Sequence, residues 1–127
     1  MNLERVIFGF FIVLAVALNF GFFVGEIDNP DHHGIVELFL AIVVNLIATV
    51  LKLGDRSQIG AVLLATSLVA DLQLLAAAVI WAIAAHVDSA GLTPAVMASI
   101  VSLAGGALVA NIISVTILVA ETLMLRR

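Results

Sequence analysis

The sequence predicts an all-α membrane protein, a bundle of four transmembrane helices, and three observations predict it. Of the 127 residues, 64% are hydrophobic and only 11% charged, whereas soluble domains are about half apolar. The mean hydropathy is +1.29. The apolar residues also fall into four long runs, about 6–24, 35–53, 58–85 and 94–125, matched to the about 20 residues with which a helix crosses a bilayer. Backbone groups in lipid need partners within the chain, so helices are the natural form for such runs. Together the runs use nearly every residue, leaving one transmembrane domain, 1–127, and no separate soluble one.

The first run follows Arg5 as a signal peptide would. It is longer than a secretory h-region and passes into "GEIDNPDHHG" without a small-x-small cleavage site, so it reads as a retained helix. Asn-Pro and Gly in "DNPDHHG" break the chain before the second run. "GDRS" makes a short polar turn into the third, and "DSAGLTP" offers Thr93 as an N-cap and Pro94 as first helical residue of the fourth. Loops this short predict an antiparallel, up-and-down arrangement. The third and fourth runs exceed the hydrocarbon thickness and are expected to tilt, kink or project, with Gly105-Gly106 the expected kink.

Charge sets the expected orientation. Arg5, Lys52, Arg56, Arg126 and Arg127, all five basic residues, fall on one side of this topology. The positive-inside rule makes that side, with both termini, cytoplasmic. The other side carries Glu26, Asp28, Asp31, Glu37 and Asp88 with His32, His33 and His86. It is either an acidic entrance that gathers cations or a set of solubilising loops. His32 and His33, beside Asp28, Asp31 and Glu37, are candidate ligands for zinc or another divalent metal. Glu37 also suits the first turn of a helix, where the dipole favours an anion. The chain has no cysteine, which excludes disulfides and thiolate chemistry.

Small residues recur every four positions in the fourth run, at Ala98, Ser102, Gly106, Ala110 and Ser114, and Gly21 and Gly25 form a shorter GxxxG in the first. Helices in lipid approach closely along such stripes. They serve packing within one chain or, in the preferred reading, a homo-oligomer with a symmetry axis.

The segment "ATSLVADLQLL" sets Asp71 deep in the third run. At about 1.5 Å per residue, Asp71 and Asn19 lie roughly 20 Å and Asn45 roughly 15 Å along their helices, near one level. Asn111 counts out deeper. An ionised Asp at mid-membrane costs about 2.5–3.5 kcal/mol even on lenient scales, so it is functional by default or else ties helices together. With no Lys or Arg to neutralise it, its counter-charge is a proton or a mobile cation. Thr66, Ser67 and Gln73 add oxygen ligands, Gln73 from a nearly opposite face, and carboxylate and amide oxygens suit hard monovalent or divalent cations. "TSLVAD" spaces Thr66 and Asp71 as the potassium-channel filter spaces its Thr and Asp. Leu68 and Ala70 replace the filter's glycines, so ligation through side chains is expected rather than through carbonyls.

Trp81 suits an aromatic belt, and the seven Phe residues read as lipid-facing or packing bulk. Nucleotide-binding loops, Ser-His-Asp sets and HExxH are absent from the sequence, so neither an enzyme nor a nucleic-acid partner is expected. The run "NLIATVLKLGDRSQIGAVLLATSLVADLQLLAAAVIW" is similar to a group of small uncharacterised bacterial four-helix inner-membrane proteins. The resemblance implies fold and location, with no activity or site residue to transfer. The expectation is a homo-oligomeric cation channel or cation-binding transport protein in the bilayer of a bacterial inner membrane, with no cofactor beyond a bound cation. A proton-coupled carrier and an accessory subunit of a larger complex are the alternatives.

Overall fold

In a computed structural model the described residues are 3–55 and 57–125. Arg56, Arg126 and Arg127, three of the five basic residues that set the expected orientation, lie outside them. The elements are α1 (Leu3–Phe23), a 3-10 turn (Pro30–His32), α2 (Ile35–Lys52), α3 (Gln58–His86) and α4 (Pro94–Leu125). Each helix is long and apolar enough to cross a membrane.

Local chemistry sets the helix starts. Thr93 Oγ1 accepts from the Val96 N–H at 3.2 Å, capping α4 ahead of Pro94, and Ser57 Oγ accepts from the Gly60 N–H at 2.9 Å, capping α3. Asn29 Oδ1 accepts from the Asp31 N–H at 3.0 Å to start the 3-10 turn at Pro30. Asp55 in turn accepts from the Ser57 N–H and hydroxyl at 2.9 and 2.8 Å. Those two bonds, with Lys52 beside them, hold its carboxyl down at about 2. Because the folded value is depressed, this contact contributes fully above the ordinary value of 3.8 and is lost as pH falls through about 2. Melting curves across that interval should show a small acid loss that Asp55→Asn lacks. An equal loss in both proteins would remove Asp55 as its source.

The helices pack as a ring, α1 against α2, α2 against α3, α3 against α4 and α4 against α1. Alanine fills much of the interior, at positions 41, 48, 70, 77, 104, 107 and 110. Small side chains let backbones approach where lipid outside removes any hydrophobic preference for the core. The distribution is inverted relative to a soluble bundle. Leu72, Val36, Phe39 and Val50 are 62–70% exposed, while Asn19, Asn45, Asn111 and Ser114 are at most 1% exposed. Apolar outside and polar inside is the pattern of a chain whose solvent is lipid.

The interior is layered. Phe8, Ile12, Ala48 and Leu63 form one apolar cluster. Phe22, Leu38, Ala41, Ala70, Leu74, Met97 and Ala104 belong to a second. Along the helices the polar residues fall at the junction, Asn19 between Ile12 and Phe22, Asn45 between Ala41 and Ala48, and Ser67 between Leu63 and Ala70. At about 1.5 Å per residue α3 and α4 extend roughly 44 and 48 Å, well past an about 30 Å hydrocarbon core. Gly105-Gly106 does not interrupt α4. The pair permits close approach instead, since a Cβ would fall 2.8 Å from Phe23 Cε1 at Gly105 and would collide with Gln73 Oε1 at Gly106.

Candidate functional site

Asp71 is 7% exposed and faces the inside of its own bundle. It shares a face of α3 with Leu63, Ser67, Leu74 and Ala77, all spaced by three or four residues and all buried. Its direct partner is Thr49 of α2, whose Oγ1 lies 2.5 Å from Asp71 Oδ2. The same hydroxyl donates to the Asn45 carbonyl oxygen at 2.9 Å. A threonine hydroxyl carries one hydrogen. Both contacts are hydrogen bonds when the carboxyl supplies the second hydrogen, Asp71 Oδ2–H donating to Thr49 while Thr49 donates to Asn45. With that proton on Asp71 the three groups form a hydroxyl relay, and without it Thr49 divides one hydrogen between two acceptors.

Two further polar links run between helices in the interior. Thr66 Oγ1 of α3 meets Ser114 Oγ of α4 at 2.5 Å. In the amide orientation that satisfies its neighbours, Asn19 of α1 donates to the Ala104 carbonyl and accepts from Asn111 Nδ2, both at 3.1 Å. Asn45 Nδ2 donates to the Ala41 carbonyl of its own helix at 2.8 Å, which leaves its oxygen turned outward from that bond. Among the described residues, Asn45 Oδ1, Ser67 Oγ, Asp71 Oδ1 and Asn111 Oδ1 are buried side-chain atoms without a hydrogen-bond partner. All four are oxygens. Each orphaned acceptor costs about 1–3 kcal/mol in a dry interior, a cost that a hydrogen-bond donor or a cation would offset.

Of the sequence-derived set, Asp71 reaches the Asn45 carbonyl through Thr49, Thr66 pairs with Ser114, Asn19 pairs with Asn111, Ser67 lies buried one turn before Asp71, and Gln73 leans over Gly106 of α4. Asn111 belongs with Asn19 despite its greater counted depth. Thr49 is the residue that sequence reasoning missed. Its signal was its place one turn after Asn45, on the same helix face.

The loop residues separate into two groups. Glu26, Asp28, Asp31, Asp88, His32 and His86 are exposed. Glu37 lies half-buried over Gly21, where a Cβ would fall 2.6 Å from its Oε2. His33 is 2% exposed, with Nδ1 2.5 Å from the Phe22 carbonyl and Nε2 2.7 Å from that of Glu26. His32 Nδ1 accepts from the Glu26 N–H at 2.8 Å. Among the described residues no three His, Asp or Glu side chains converge as metal ligands would, and His33 is engaged by backbone at both nitrogens.

The small-residue stripe is divided as well. Ala110 and Ser114 are buried within the chain and Gly106 half-buried, whereas Ala98 is half-buried and Ser102 exposed. Gly25 lies past the end of α1 with φ of 110°, in the left-handed region open to glycine, so it turns the chain and does not share the helical face of Gly21. Trp81 packs against the larger cluster, its ring 6.3 Å from that of Phe22.

Fold and site thus define a class, a four-helix protein with membrane-length helices around a buried polar layer. Residues 32–122 match a family described as a family of unknown function (DUF6394), and the chain belongs to that family. No curated protein and no solved structure matches it.

Proposed function

We propose that the chain is a cation-binding transport protein of a bacterial inner membrane, with Asp71 as the charged element of the path. The observation that carries this reading is the buried carboxyl among orphaned oxygens, with no cationic side chain along the interior. Glu4, Arg5, Glu37, Lys52, His86 and Glu121, the other titratable residues of the four helices, all lie near helix ends. Asn45, Ser67 and Asn111 are the candidate neutral ligands, and the exposed acids Glu26, Asp28, Asp31 and Asp88 are the candidate entrance.

Burial of Asp71 inside one bundle favours a path through each protomer over a ring of carboxylates on a shared axis. The basic residues confined to one side support cytoplasmic termini, and short connections support an up-and-down bundle. Ser102, exposed on the small-residue stripe beside half-buried Ala98, supports self-association. Purified protein in liposomes should pass cations down a gradient, and Asp71→Asn should lower the flux by at least about tenfold, the effect of 1.4 kcal/mol on a barrier. Flux unchanged by the substitution would remove Asp71 from the path.

A second reading has its own support. Asp71 with Thr49 ties α3 to α2, and Thr66 with Ser114 ties α3 to α4, as suits a rigid accessory subunit of a larger complex. Intact protein that leaves liposomes impermeable to every cation would favour it.

A further inference from the structure

The hydroxyl relay and the orphaned oxygens bear on what the Asp71 site holds. The site has one ionisable group. Among the described residues no titratable or charged side chain faces it from α1, α2 or α4. The residues those helices bring to the layer are Asn19, Asn45, Thr49, Asn111 and Ser114, all neutral, and on α3 itself the only other titratable residue is His86 at the far end. The layer is therefore electrically neutral with a proton on Asp71 and carries one negative charge without it. In an interior of low dielectric an unbalanced charge of either sign is strongly disfavoured. A divalent cation would leave the layer with an excess positive charge, and a monovalent one restores neutrality.

The ligands are of the matching type. Asp71 Oδ1, Ser67 Oγ, Asn45 Oδ1 and Asn111 Oδ1 are hard oxygens, buried and unpartnered, from α3, α2 and α4. Ser67 precedes Asp71 by one turn on the same face, about 6 Å along the axis. Asn45 lies one turn from Thr49, whose hydroxyl touches the carboxyl. Asn111 is one turn from Ser114, which is held to Thr66 beside Ser67.

We propose that the Asp71 layer is an exchange site within a single protomer, occupied in turn by one proton and by one dehydrated alkali-metal cation. In the acid form Asp71 Oδ2–H donates to Thr49 Oγ1. In exchange the O–H bond of the acid breaks, the proton leaves to solvent, and the carboxylate takes the cation with Ser67, Asn45 and Asn111 supplying neutral oxygens. Charge balances at both ends. This inference rests on the cation reading above and specifies the ion class and the competitor at the same site.

The test is proton release from the purified full-length chain in detergent micelles at low buffer strength. Sodium, potassium, magnesium and calcium chlorides are added in turn, with choline chloride as the ionic-strength control. Sodium or potassium should release one proton per chain, and Asp71→Asn should release none. Ser67→Ala, which removes one small hydroxyl and should keep the helical circular dichroism of the parent, should weaken the alkali-cation affinity by about tenfold.

Release driven by magnesium or calcium and by neither alkali cation would overturn the assignment of ion class. Undiminished release from Asp71→Asn would overturn the assignment of the site. Absence of release with every salt, in protein that still passes cations across liposomes, would overturn the exchange and leave the cation path standing. Release without any liposome flux would uphold the exchange site and remove transport.

Discussion

Replacing Asn19 with leucine is expected to lower the stability of the folded chain by about 1–3 kcal/mol, and replacing Asn111 at the same time should recover most of it. Asn19 bridges α1 and α4, donating to the Ala104 carbonyl and accepting from Asn111 Nδ2. Leucine shares asparagine's branching and side-chain heavy-atom count but has bulkier methyl groups, so the single change adds some crowding and strands the Asn111 amide at 0% exposure. Hydrogen bonds between membrane helices average only about 0.6 kcal/mol, because the unfolded chain in lipid also finds partners. The larger expected loss comes from the stranded group rather than from the bond itself. With leucine at both positions nothing polar is left behind. Denaturant titration in mixed micelles of the two single variants and the double variant closes the cycle. Costs that simply add would show that the two amides do not interact.

His33→Ala should cost about 1–3 kcal/mol, since it removes a buried ring and the one N–H with which a neutral imidazole serves these two carbonyl oxygens. The Phe22 carbonyl belongs to the last turn of α1, where helix geometry offers no N–H partner. His33 reaches it from 11 residues away, with its other nitrogen on the Glu26 carbonyl, so one ring closes both the helix end and the loop that follows. Its ring also packs 5.5 Å from that of Phe22. The neighbouring His32 is exposed and holds the Glu26 N–H, and its removal should cost about 0.5–1.5 kcal/mol. Amide hydrogen exchange in residues 22–34 should quicken sharply in His33→Ala and only slightly in His32→Ala. Equal effects from the two would count against the buried ring as the clamp.

This pair of histidines shows where sequence reasoning stops. Side by side in a loop they resemble a ligand pair, and burial separates them. One ring is turned under the end of α1 and the other is left at the surface. Asp71 is a similar case. Its depth could be counted from the sequence, because rise per residue is the same in every helix. Its partner could not, because Thr49 meets it only once α2 and α3 have taken their rotations about their own axes.

Lipid makes those rotations hard to read. In a soluble helix the buried stripe stands out against polar neighbours, whereas hydropathy hardly varies around α3 and α4, whose outer faces are as apolar as their inner ones. The faces that meet are marked by small and polar residues instead. The alternation of Gly106, Ala110 and Ser114 did mark one of them, with its lower part filled inside the chain.

The sequence by itself determined the solvent of the helices, their ends and the presence of one carboxylate halfway along α3, because hydropathy, capping and rise per residue are local properties. Only the tertiary structure decided that Asp71 faces inward to Thr49, that Asn19 and Asn111 meet, and that four oxygens are buried without donors. Those facts depend on how four helices turn toward one another, and packing between segments distant in the chain sets that turn.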